Sequence, residues 1–213
     1  MSLSETETNI DEPQALESSD GEGELETLPT NVGRDLKGRE LTFKHATKFR
    51  VEVCILEGQS QLYFAQICSL GKKPDVILHS GLKDGPVLAA AHYRWGRDVI
   101  VGLGQDELSM TWYAFKRCHP FIEKRGFTFE WQGSNYLLQR ATSSDHKATG
   151  AGRFLLTHFK VVEEATGELV ALYVSQPTGK TKATLKMKAG MNEELQLLCI
   201  VGVVSWRDKI RRR

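Results

Sequence analysis

The first 33 residues of the chain contain no lysine or arginine, although they carry nine acidic side chains. Large apolar residues are also scarce there, whereas serine, threonine, glutamate and glycine are abundant. Such a segment cannot bury enough apolar surface to offset the entropy cost of ordering it. We therefore predict an acidic disordered tail over residues 1–35, which leaves residues 36–213 with an excess of ten positive charges.

Cysteine is scarce and widely spaced. Cys54, Cys68, Cys118 and Cys199 form no C-x-x-C pair, and the six histidines form no i, i+3 or i, i+4 pair. This spacing argues against a disulfide framework and against a zinc site, and it indicates reduced thiols in a cytoplasmic or nuclear protein. We expect no bound metal and no cofactor.

The sequence also lacks a catalytic constellation. The "TGKT" stretch at 178–181 is similar to a phosphate-binding loop, but valine stands where the first glycine belongs. The "SDH" stretch at 144–146 contains triad residue types without implying triad geometry. Because no pair of residues has an assignable chemical role, we expect a protein that is not an enzyme.

From about Leu41 onward, the dominant apolar period is two, which is typical of half-buried strands. The alternation on both sides of "QGSN" (132–135) predicts one hairpin over 127–140, and Thr166–Gly167 marks a second. Helix signals before residue 190 are weak. These features predict a β-sandwich or a β-barrel. The strand-like segments are 49–55, 61–67, 75–80, 86–93, 97–103, 107–115, 127–131, 136–140, 154–162, 168–174 and 180–188.

Near the C-terminus, an uncharged run spans only twelve residues, from Leu195 to Trp206, and it contains Gln196 and Ser205. A membrane span needs about 20 apolar residues, so a membrane anchor is the weaker interpretation. Asn192 is suited to cap a helix, acids follow it, and basic residues close the segment, which complements the helix dipole.

Apolar residues cover every side of this predicted helix, so the helix must be buried on every side. In an all-β chain, a closed sheet wrapped around the helix achieves this. We therefore predict a mainly β fold: an antiparallel barrel of about ten to twelve strands, formed by residues 36–213, that encloses a hydrophobic C-terminal helix over 193–213. Gly202 would let a neighbouring group approach the helix closely.

Five segments carry a resemblance to a known family: "LHSGLKDGPVLAAAHY" (78–93), "VGLG" (101–104), "FTFEWQGSNYLLQRAT" (127–142), "ELVALYV" (168–174) and "EELQLLCIVGVVSWRDKIRRR" (193–213). In these segments the chain resembles the tubby C-terminal-like superfamily, in which a β-barrel encloses a hydrophobic C-terminal helix, and within it the uncharacterised fungal members and LURP-one-related proteins. Tubby proteins bind phosphoinositides, so the resemblance implies a lipid-binding role at a membrane surface. Phospholipid scramblases are also relatives, but the chain shows no match to a scramblase calcium-binding segment.

A row of lysines is the candidate binding surface. If residues 180–188 form a strand, Lys180, Lys182, Lys186 and Lys188 share one face, and Ala183, Leu185 and Met187 share the other. These lysines would repel one another, and an anionic lipid headgroup would relieve the repulsion. The competing interpretation is a solvated strand whose lysines prevent edge pairing.

Two functions therefore stay open. The first is a non-enzymatic module that binds anionic phospholipid headgroups and associates with membranes peripherally. The second is a structural or protein-interaction scaffold without a lipid ligand. Nucleic acid is a weaker alternative partner, because the basic and aromatic "HYRWGR" stretch (92–97) fits strand packing better than base stacking.

Overall fold

The structure is a computed structural model that describes residues 36, 38–46, 51–68, 74–94, 98–118, 126–141, 158–175 and 182–212. The predicted acidic tail, 1–35, lies outside the described residues. Within them, the chain forms twelve strands and one C-terminal helix, α1 (Glu193–Arg211). The strands are β1 (Glu40–His45), β2 (Glu52–Glu57), β3 (Ser60–Ile67), β4 (Val76–Ser80), β5 (Val87–Tyr93), β6 (Val99–Leu103), β7 (Thr111–Arg117), β8 (Gly126–Trp131), β9 (Ser134–Arg140), β10 (Phe159–Glu163), β11 (Leu169–Ser175) and β12 (Lys182–Met187).

Every strand pairs antiparallel with its neighbours in sequence, and β1 pairs with β12, so the sheet closes into a barrel. The predicted fold class is confirmed. Both predicted hairpins are present, as β8–β9 and β10–β11. The first turns through Gln132 and Gly133, whose positive φ values of 49° and 78° are the conformation that a two-residue hairpin requires.

The period-two pattern places alternate residues inside the barrel. On β12, Ala183, Leu185 and Met187 are buried, as predicted, and they contribute to the main core. Strand β11 departs from the alternation because all of its residues from Leu169 to Val174 are buried. Its outward-facing Leu172 and Val174 form a second small cluster with Leu169 and Ala141, against which Leu36 packs.

Helix α1 fills the barrel. Every residue from Leu197 to Trp206 is buried, and Asn192 caps the helix by accepting a hydrogen bond from the Glu194 backbone N–H at 2.8 Å. Trp206 stacks on Phe159 of β10 and meets Phe127 of β8 edge to face. The predicted central helix is thus confirmed, and its described part ends at Arg211. No helix among the described residues is long and apolar enough to cross a membrane.

Gly202 lies where α1 comes closest to the barrel wall. A Cβ atom at this position would lie 2.8 Å from the Phe115 ring and 3.3 Å from a Leu138 methyl group. Phe115 cannot move away easily, because its ring stacks on Phe129 with centroids 4.3 Å apart. The expected close approach at Gly202 is therefore present, and the group that approaches is an aromatic side chain.

The bounds of β7 differ from the sequence prediction. The predicted strand covered 107–115, whereas β7 is Thr111–Arg117. The preceding residues form a turn in which the Ser109 backbone N–H donates to the Asp106 carbonyl at 2.9 Å. A local turn bond therefore prevents "ELSM" from joining the sheet.

Candidate functional site

The segments that connect the strands at the two ends of the barrel differ in the charge of their sequences. Because the strands run up and down in sequence order, the six connections that follow odd-numbered strands all leave from one end. In the sequence, those connections (46–51, 68–75, 94–98, 118–125, 141–158 and 176–181) contain eleven lysine or arginine residues and four acids. Of these basic residues, only Arg94 lies within the described residues. The turns that follow even-numbered strands (58–59, 81–86, 104–110, 132–133, 164–168 and 188–192) contain two basic residues and five acids.

Helix α1 reinforces this asymmetry. It begins with Glu193 and Glu194 at the end where the even-numbered strands finish, which we call the acidic end. Its last turn carries Lys209 and Arg211. We call the end where the helix finishes the basic end. Charged residues there are tied to the rim: Lys209 donates to the Asp98 carbonyl at 2.9 Å, and Arg212 donates to the Cys68 carbonyl at 2.8 Å.

The predicted lysine row follows β12, so its members lie toward different ends of the barrel. At the acidic end, Lys186 forms an ion pair with Glu40 at 3.5 Å, and Lys188 forms one with Glu168 at 2.7 Å. Lys188 also lies just beyond the strand. Glutamates on neighbouring elements therefore already offset the charge of these two lysines.

The other half of the row lies toward the basic end. The backbone of Lys182 pairs with that of Lys44 on β1, so two basic residues stand directly opposite each other there. Lys180 lies outside the described residues. The sequence prediction of a single continuous lysine face thus becomes a compensated half and a basic half.

A cavity of about 240 Å³ opens among the side chains at the basic end, between α1 and the inner wall of the barrel. Most of its wall is apolar. Its polar lining comes from one turn of the helix and from the ends of two strands. The residues that line it are Phe43, His45, Val53, Ile67, Tyr173, Ser175, Val203, Val204, Arg207, Asp208, Ile210 and Arg211. We call it the mouth cavity.

Arg207 is the charged centre of the mouth cavity. Its guanidinium donates a hydrogen bond to Nε2 of His45, which must therefore be neutral at that nitrogen. No carboxylate of the described residues forms an ion pair with Arg207. Among the described residues, Arg207 therefore occupies a partly buried position without a carboxylate partner.

Tyr173 brings a second polar atom to the cavity. The residue is 1% exposed, and its ring packs against Phe43 and Phe159. Its hydroxyl lies beside the Arg207 guanidinium, and it makes no hydrogen bond of standard geometry within the described residues. Burial raises the pKa of Tyr173, and the nearby Arg207 cation opposes that rise in part. The hydroxyl therefore keeps its proton and is a hydrogen-bond donor.

Asp208 is the buried acid next to this site, and other groups satisfy it. Its carboxylate forms ion pairs with Arg211, at 2.9 Å, and with Arg212, and it accepts a hydrogen bond from the Tyr93 hydroxyl at 3.1 Å. Burial and the Asp208 charge raise the pKa of Tyr93, so this hydroxyl also stays protonated. The two arginines compensate Asp208, which leaves Arg207 as the uncompensated charge of the cavity.

The thiols show no sign of activation. Burial raises the pKa of Cys199 to about 12, and burial raises the pKa of Cys54 and Cys118 as well. Thiols with raised pKa values are poor nucleophiles. In the parts of the chain that the structure describes, no three His, Cys, Asp or Glu residues come together in a way that could hold a metal ion.

Sequence reasoning missed the mouth cavity because its polar residues are far apart in the chain; Arg207 and His45 are separated by 162 positions. The one available signal was helical spacing. Arg207 follows Val203 and Val204 by one helical turn, so it lies on the same buried face of the helix as these valines. A charged residue at that position, close to the end of the helix, indicates a polar site at the end of the barrel.

Comparisons with known proteins give a distant structural similarity. No protein-family model matches the sequence, and no curated protein matches it. The chain is similar to the X-ray structure of a protein from Arabidopsis thaliana, with 13% sequence identity and a TM-score of 0.45. The similarity covers 84% of this chain and 98% of that chain.

Proposed function

We propose that this chain is a non-enzymatic binding module that recognises anionic phospholipid headgroups, phosphoinositides among them, with its basic end facing the membrane surface. The observation that carries the proposal is the difference in sequence charge between the connections at the two ends of the barrel, together with the basic last turn of α1 at one of them. Each basic residue near an anionic leaflet contributes about 1 kcal/mol to binding. A surface that gathers many of them on one side therefore binds such a leaflet in one orientation.

Exposed basic side chains among the described residues support this orientation. Lys44, Arg94 and Lys116 all lie at or near the ends of odd-numbered strands, and all three are exposed. Lys182 lies opposite Lys44 and extends the same region. We therefore assign the half of the lysine row toward the basic end, Lys182 together with Lys180, to the membrane contact.

The fold supports the same proposal through the resemblance described above. A twelve-strand barrel around a C-terminal helix is the architecture that membership of the tubby C-terminal-like superfamily implies, and we propose that membership for this chain. Lipid recognition within that superfamily is known for tubby proteins. It comes to this chain only as a hypothesis, because fold alone does not determine function.

A protein-interaction scaffold is the second candidate function, and a specific feature favours it. At the acidic end, Leu108 is 102% exposed and Leu82 is 69% exposed, beside Asp106, Glu107 and Asp84. Both leucines lie in turns between strands. Such apolar side chains among acids fit a basic protein partner with an apolar centre better than an anionic membrane.

Flotation of the full chain with vesicles tests the lipid proposal. We expect binding to phosphatidylcholine vesicles that contain phosphatidylserine or phosphoinositide, and none to phosphatidylcholine alone. Binding should weaken between low and physiological salt, because counter-ions screen exposed charges. Absence of binding to every anionic vesicle at low salt would refute the lipid function and favour the scaffold.

A further inference from the structure

We propose that the mouth cavity is a binding site for a small organic anion that joins one carboxylate or phosphate group to an apolar group. The apolar group would lie against Phe43, Val53 and Val203, and the anionic group would meet Arg207 and Tyr173. This inference does not depend on the proposed membrane function, because a ligand can fill the cavity in solution.

The polar atoms of the cavity have the donor character that an anion requires. Arg207 offers guanidinium N–H groups and has no carboxylate partner among the described residues. The Tyr173 hydroxyl is buried and makes no normal hydrogen bond there. The Arg207 guanidinium beside it can only donate, so the Tyr173 O–H has no acceptor there. An anionic oxygen between Tyr173 and Arg207 would accept hydrogen bonds from both groups.

The acid in the cavity wall does not oppose this assignment. Asp208 is held by Arg211, Arg212 and Tyr93, and its side chain is fully buried within that network. The network also fixes the last turns of α1 against β5, so that Arg207 is held at the rim rather than swinging freely. The charge left over in the cavity is therefore positive.

The apolar wall and the volume define the rest of the ligand. Phe43, Val53, Ile67, Val203, Val204 and Ile210 form most of the lining. An apolar cavity of about 150 Å³ binds benzene, so one of about 240 Å³ holds roughly ten non-hydrogen atoms. Octanoate has that size and combines one carboxylate with a short alkyl chain, which makes it a suitable probe.

Isothermal titration calorimetry on the full chain tests the site with four probes: octanoate, octanol, acetate and inorganic phosphate. We expect octanoate to bind at least about tenfold more tightly than each of the others, because it alone engages both the guanidinium and the apolar wall. The proposal is refuted if octanoate gives no heat of binding. It is also refuted if octanol or inorganic phosphate binds as tightly as octanoate, because the site would then recognise only the alkyl chain or only the anionic group.

Variants locate the binding site. Arg207→Gln and the cavity-filling Ser175→Leu should each weaken octanoate binding about tenfold or more, whereas Arg94→Gln, which removes an exposed charge from the same end, should not.

Tyr173→Phe separates binding from folding. It should weaken octanoate binding with little change in the melting temperature, because the hydroxyl that it deletes donates to no acceptor within the described residues. Unchanged affinity in Arg207→Gln and Tyr173→Phe would place the ligand elsewhere and overturn the proposal.

Discussion

The Tyr93 hydroxyl donates a hydrogen bond to the Asp208 carboxylate at 3.1 Å, and this contact joins strand β5 to the last turns of the central helix. Arg211 and Arg212 complete the surroundings of the same carboxylate. The basic end therefore contains a buried acid whose partners come from both the helix and the wall. The helix cannot shift along the barrel without breaking these bonds.

The first prediction concerns this contact. Asp208→Asn should lower the free energy of unfolding by about 1–3 kcal/mol, less than for a fully buried ion pair because both arginines reach solvent. Tyr93→Phe should cost about 1 kcal/mol. In urea denaturation, the double variant should lose less than the sum of the two single losses. Full additivity would show that the two groups act independently.

The second prediction tests whether α1 is the core of the barrel. Ile200 is fully buried, so Ile200→Asp places an unpaired carboxylate inside the fold, which costs several kcal/mol against a total stability of about 5–15 kcal/mol. We expect loss of the cooperative thermal transition followed by circular dichroism. Leu108→Asp, at an exposed position, is the matched control and should melt like the wild type. A folded Ile200→Asp protein would contradict the buried helix.

The third prediction concerns Gly202. Gly202→Leu should destabilise the protein by about 3 kcal/mol, because a side chain there must displace the stacked rings of Phe115 and Phe129. Phe115→Leu in the same chain should recover part of the loss by making room. Denaturant titration measures both effects. An unchanged midpoint for Gly202→Leu would show that the side chains of the barrel wall can move aside without cost, contrary to the prediction.

The fourth prediction is a pH dependence. His158 is buried, its Nε2–H donates to the Ser175 carbonyl at 2.9 Å, and burial lowers its pKa from the ordinary value of 6.5. The unfolded chain therefore takes up a proton near pH 6.5 that the folded chain resists. Stability from this group is present above pH 6.5 and is lost as the pH falls below it.

The melting temperature should consequently fall between neutral pH and about pH 5. His158→Gln, which cannot titrate, should show a smaller fall over the same interval. An identical fall in both proteins would mean that other groups, such as paired carboxylates, account for the whole effect.

The fold was predictable where local signals agree. The helix after Asn192 is apolar on every side, so it is stable only when it is buried on every side. The alternation of Ala183, Leu185 and Met187 determines which face of β12 points into the barrel. The boundaries of β7 were not predictable, because a single turn bond at Asp106 decides where the strand begins. The candidate site was the least predictable part, since the register of the whole sheet determines which residues meet Arg207.

The lysine row shows the same limit. Its spacing placed Lys186 opposite the buried face of β12, but the sequence did not reveal that Glu40 and Glu168 lie beside Lys186 and Lys188. Pairing across strands, rather than the pattern along one strand, determines which charges remain available to an anionic partner.

The most direct test of the central claim compares two charge-reversal variants in vesicle flotation. Changing Lys44, Arg94 and Lys116 to Glu alters the basic end, and changing Lys83, Lys186 and Lys188 to Glu makes the same charge change among lysines that have glutamate partners. Our account predicts that only the first variant loses binding to anionic vesicles, by about 100-fold or more. Loss confined to the second variant, or equal loss in both, would contradict it.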